Sequence, residues 1–216
     1  MNLADVVGVL NGAVKIAAPG RGEPRCWVNA GWSRSVDLEG APQWTGLDPG
    51  AFDAEEGQGL VTVLVAADSA RSTKAQVAGF LLDVWCLGVK NALPPEPMSP
   101  SRLNAYRQAY FSAYERHVQV PAELVRALVF GAAAYAHEIG FDPEADFEAA
   151  AAVLGEPSDP CPIRFGREGK PFYVNGPYDD PEAIVRTLRR TVGVDGFHHA
   201  VAFPEQPRRR LFRSRR

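Results

Sequence analysis

The chain has 216 residues, 46% hydrophobic and 23% charged, which excludes a disordered polyampholyte and suits one large core with an appendage. The formal net charge of −3 hides an asymmetry: the last ten residues, PRRRLFRSRR, hold six arginines and no acid, so residues 1–206 stand at −9. Three widely spaced cysteines argue against a disulfide framework and for a reducing cytoplasm, and the longest apolar run, 77–89, contains Asp83 and is too short to span a bilayer.

In chain order, Leu3, Val6, Val7, Leu10 and Val14 recur at helical spacing, so residues 3–16 read as a short amphipathic helix. That start lacks the basic segment of a secretion signal. Residues 25–32 (RCWVNAGW) read as a strand, and residues 33–58 as an acidic loop, long enough to be an insertion or a lid. Residues 60–67 (LVTVLVAA) and 76–85 (QVAGFLLDVW) are β-branched and aromatic runs around a turn-like stretch, which predicts an antiparallel hairpin. Their nearly continuous hydrophobicity predicts cover on both faces, or on one face and an end.

Three helices follow. Ser99 caps the first, with Pro100 at its first position and Leu103, Tyr106, Tyr110, Phe111 and Tyr114 on its apolar face. Pro121 starts the second, which stops at Gly140, and Asp142-Pro143 starts the third, which stops at Gly155. Beyond them, Ile163–Gly166 and Pro171–Val174 flank a Gly- and Lys-containing turn and read as a second hairpin. Asp180 and Pro181 open a last helix with Ile184, Val185, Leu188 and Val192 as its buried stripe, and Arg186, Arg189 and Arg190 mostly off it. Phe197–Phe203 reads as a final strand. The expected class is therefore α+β: a β-hairpin sheet, a three-helix middle and a C-terminal β-β-α-β unit in one domain, 1–206, followed by an Arg-rich segment, 207–216.

The blocks FLLDVWCLGVKNAL (80–93), ALVFGAAAYAHEIGFDPEADF (127–147) and IRFGREGKPFYVNGPYDDPEAIVRTLRRTVG (163–193) carry a family resemblance. The chain resembles a largely actinobacterial group of proteins of uncharacterised activity that share D-x-x-C-L-G-V-K and F-G-R-x-G-K-P-F-Y-V. The likeness spans about residues 25–203, leaving the Arg-rich segment outside it. It implies no activity, so no catalytic residue is carried over.

Among individual residues, Asp83 stands out as a carboxylate inside an apolar strand, where it must be paired, hydrogen-bonded or neutral with a raised pKa. It is either a structural acceptor or an acid/base group. Strand alternation would put Cys86 on the opposite face from it, unless the strand ends there. A Cys86–His137 nucleophile and base has no support from spacing; a buried cysteine packs as a small hydrophobe, and His137 near a helix C-terminus suits the helix dipole. Lys90 follows the strand, without the glycine spacing of a phosphate-binding loop, and can meet an anion or pair with an acid. Asp179 and Asp180 precede Pro181, which favours capping over metal binding, and His198 and His199 point to opposite faces of a strand. No metal or cofactor signature is present.

Arg208, Arg209, Arg210, Arg213, Arg215 and Arg216 repel one another and cannot bury a core, which predicts a disordered tail. Such a tail can neutralise phosphates of a nucleic acid, dock on an acidic protein, or only keep the chain in solution. The expected function is a cytoplasmic binding or accessory protein engaging an anionic partner partly through the tail. The alternative is a small cofactor-independent enzyme built from Asp83, Lys90 and the turns at 166–179, with His137 as a further candidate. Residue patterning is silent on oligomeric state.

Overall fold

In the computed structural model, which describes residues 22–48, 59–69, 72–157 and 161–200, the sheet is organised around one long hairpin. Strand β2 (Leu60–Asp68) pairs antiparallel with β3 (Ala75–Asp83) in unbroken register from Leu60 opposite Asp83 to Asp68 opposite Ala75. Strand β1 (Arg25–Asn29) lies on the other side of β2, and β4 (Gly88–Met98) on the other side of β3. With β5 (His117–Val120) beside β1, the order is β4-β3-β2-β1-β5, antiparallel throughout. The expected helix at 3–16 and the segment 207–216 lie outside the described residues.

The hairpin is apolar on both sides because both sides are covered. Val61, Val63, Val65, Phe80 and Leu82 join a large core with helix α2 (Ala122–Glu138), while Leu64, Ala66, Ala75 and Val77 join a second core with helix α1 (Pro100–Tyr110). The period-2 alternation thus sorts neighbours into two cores, and each large aliphatic side chain fully buried there contributes about 1.5–3 kcal/mol. Ser99 caps α1 by accepting from the Arg102 amide, and Leu103, Tyr106, Tyr110, Phe111 and Tyr114 all pack in the second core. The Tyr110 hydroxyl donates to the carbonyls of Val63 at 3.2 Å and Phe80 at 3.3 Å. That approach requires glycine at 79, where a Cβ would sit 2.7 Å from the hydroxyl.

Two strands were not expected from sequence. β4 contains Pro94, Pro95 and Pro97, which argue against a strand, yet it lies at the sheet edge, and Pro94 and Pro95 fall in an irregularity between the Leu93–Gly79 and Glu96–Val77 pairs, outside the ladder. β5 has only four residues, too few for a periodic signal. β3 ends at Asp83, so Cys86 belongs to a turn at 84–87 and the strand-face rule does not apply to it. Between β1 and β2, the described part of the acidic loop makes two short 3-10 turns, Trp32–Ser35 and Pro42–Leu47.

Helix α3 spans Phe147–Ala151, shorter than the 143–155 stretch its flanking signals suggested. The C-terminal unit contains β6 (Phe172–Val174), α4 (Pro181–Thr191) and β7 (His198–Ala200). Its pairing differs from a simple hairpin. Arg167 and Lys170 form an isolated bridge at the tight turn, Arg164 bridges to Asp37, and β6 pairs in parallel with β7. Each arm has found a partner elsewhere in the chain. No described helix is long and apolar enough to cross a membrane.

Candidate functional site

Asp83 closes β3 and is 6% exposed. Its Oδ1 accepts from the amides of Trp85 at 3.1 Å and Cys86 at 3.0 Å, so the carboxylate caps the 84–87 turn from inside. The turn then leaves through Gly88 at φ +66°, where a Cβ would lie 2.5 Å from Ala136 Cβ and 2.7 Å from the Ala132 carbonyl oxygen. Glycine is needed twice over: for the left-handed backbone and for contact with α2.

Once capped, the turn offers its backbone to four other segments. Val84 donates to the Gly59 carbonyl at 2.8 Å and accepts from the Gly166 amide at 2.9 Å. The Trp85 carbonyl accepts from Phe172 at 3.1 Å and from the Tyr135 hydroxyl at 3.5 Å. The Trp85 indole donates to the Ser35 carbonyl at 3.0 Å, and its ring meets Phe172 edge-on at 5.5 Å between centroids. The Arg167 guanidinium lies 5.2 Å from the Trp85 ring and 5.0 Å from that of Phe172. The turn is thus the junction at which the C-terminal unit meets the sheet.

Two residues into β4, Lys90 donates to both carboxylate oxygens of Asp179, at 2.8 and 2.9 Å. The side chains are 19% and 10% exposed, so the pair is shielded from water. Asp179 Oδ2 also accepts from the Gly176 amide at 2.7 Å and the Tyr173 hydroxyl at 3.3 Å. Burial works to raise the Asp179 pKa, but the Lys90 and Gly176 hydrogen bonds outweigh it and hold the carboxyl below its usual range. Asp180 caps α4 through the Ala183 amide at 3.1 Å. The two adjacent acids therefore have separate tasks, one an ion pair and one a helix cap.

Burial pushes the Asp83 carboxyl up to about 6, with the Cys86 amide, Lys90 and the Trp85 amide pulling it back. Burial also drives the Cys86 thiol far above its ordinary value, and the Asp83 charge adds to that. That direction is the opposite of the lowered pKa that activates a nucleophilic cysteine. Asp83 and Lys90 are thus brought into electrostatic contact, with Cys86, Tyr135, Tyr173 and Asp179 around them.

His137 is not brought to this group by any described contact. Its Nδ1 lies 3.0 Å from Asp142 Oδ1 in a surface pair, the two side chains 74% and 86% exposed. An open groove of about 530 Å³ lies elsewhere, lined by Ser33, Val36, Leu38 and Pro42 among others. The six tail arginines fall outside the described residues. Sequence reasoning missed Tyr135, reached Tyr173 only within the 166–179 turns, and did not foresee Asp179 as the partner of Lys90, 89 residues away. No local spacing encodes a contact so distant. Comparison with protein-family models, with curated proteins and with solved structures gives no match.

Proposed function

We propose that the protein is a cytoplasmic binding or accessory protein that engages an anionic partner partly through its arginine-rich C-terminal segment. The observation that carries this reading is the concentration of six arginines, without an acid, in ten residues that follow a body of net charge −9. Four cations of the body are committed internally: Lys90 to Asp179, Arg25 to Asp68, Arg102 to Glu96, and Arg164 to Asp37 and Glu39. The tail is the densest run of positive charge in the sequence, and so the strongest source of attraction for phosphate or carboxylate groups.

A second reading, a cofactor-independent enzyme at Asp83, Lys90 and the 166–179 turns, draws support from the Asp83 pKa of about 6, a useful value for a proton carrier. Against it, Asp83 Oδ1 is engaged by the turn, Lys90 is held by both oxygens of Asp179, and little of either side chain reaches solvent. The test is capture from native lysate by the full chain and by a full-length variant with all six tail arginines changed to serine, with and without nuclease. The binding reading expects partners that the wild type retains and the serine variant loses. Identical partner sets from the two chains would overturn it.

A further inference from the structure

Helix α4 carries a second cationic surface inside the folded body. At about 100° per residue, Arg186, Arg189 and Arg190 fall within an arc of about 100°. Ile184, Val185, Leu188 and Val192 lie on the opposite side, packed in a small core with Tyr173 and Phe197. All three arginines are exposed, and none has an ion-pair partner among the described residues. The helix dipole explains a preference for cations at 189 and 190, in the last turn, but not at 186. Glu182, the one acid on the helix, lies four residues before Arg186 and is exposed without an ion pair to it.

The same unit presents exposed aromatic rings. Tyr178, two residues before the helix cap, is 98% exposed. The loop beneath it is fixed, since Asp179 is bound by Lys90, Gly176 and Tyr173. His198 and His199 are exposed on β7. A bare tyrosine on a rigid support has little to gain from the closed stack of a duplex, but it offers an unpaired base a face to stack on. From residue 180 to the end, nine arginines stand against four acids, so this stretch of sequence is cationic in an otherwise acidic chain.

We propose that the outer face of α4, with Tyr178 at its start, is a binding surface for single-stranded nucleic acid, the arginines meeting phosphates and the tyrosine stacking on a base. This rests on the anionic-partner reading and narrows it to one chemistry. The test uses full-length protein and a labelled 20-nucleotide oligouridine, titrated at several salt concentrations. Changing Arg186, Arg189 and Arg190 together to Gln should lower the log–log salt slope by about 2, at about 0.7 per lost phosphate contact. Tyr178→Ala should weaken binding roughly tenfold with the slope unchanged.

If the triple variant does not fold, Arg186→Gln alone should lower the slope by about 0.7. A folded triple variant with the wild-type slope overturns the proposal and leaves contact to the tail. Wild-type protein that ignores the oligouridine but binds polyglutamate, with that binding lost when the tail arginines become serine, overturns the nucleic-acid surface and keeps the anionic-partner reading. Failure to bind either probe overturns both.

Discussion

Asp83 is an acid kept where water barely reaches it because two backbone amides need an acceptor there. Removing that acceptor in Asp83→Ala leaves those donors unsatisfied and should lower stability by about 1–3 kcal/mol, read as a shift in denaturant midpoint. An unchanged midpoint would contradict the capping role. The charge has its own signature. A carboxyl whose folded pKa of about 6 exceeds its ordinary 3.8 binds its proton more tightly when folded. Its stabilising contribution is therefore fully present below pH 3.8 and is lost as the pH rises through about 6, a change of about 3 kcal/mol. Asp83→Asn retains an acceptor and cannot titrate. Urea midpoints at pH 4.5 and 7 should show the wild type losing stability, relative to the Asn variant, at the higher pH. Parallel behaviour of the two proteins would show that burial does not perturb this acid.

The elements meet at the 84–87 turn, and their dependence on it can be measured. Gly88→Ala should cost about 1–3 kcal/mol from the left-handed backbone alone, and more from the Cβ driven against Ala132 and Ala136 of α2. Thermal unfolding checks this; a wild-type midpoint would contradict both the backbone cost and the close contact with α2. Asp179→Ala strands Lys90 without its partner and should destabilise by about 1.5–3 kcal/mol, with faster amide exchange at Gly166, Phe172 and Gly176 than in β2 and β3. Uniform exchange across the sheet and the C-terminal unit would contradict a junction there. Much at this scale was legible in sequence: the β2–β3 hairpin from its apolar runs, α1 from Ser99-Pro100, α4 from Asp180-Pro181. β4 was hidden because its three prolines are tolerated only at an edge or a bulge, and both are properties of the assembled sheet. The parallel β6–β7 pairing was hidden because each strand has three residues and their partnership spans a helix. The candidate site was half legible. Asp83 and Lys90 stood out by residue type against apolar surroundings, whereas Asp179, Tyr135 and Tyr173 join them only through tertiary contacts.

For the whole molecule, charge is the feature that separates one end of the chain from the rest. The acidic body opposes the tail at any anionic surface, so affinity should be modest and fall quickly above physiological salt. The most direct test is titration of the full chain, and of the same chain with the six tail arginines changed to serine, on RNA and DNA at two salt concentrations. Each tail contact to a phosphate should add about 0.9 to the log–log slope on duplex and about 0.7 on single strands. The expected result is weaker binding and a flatter salt dependence for the serine variant. Equal binding by both chains, or none by either, would contradict nucleic-acid engagement through the tail.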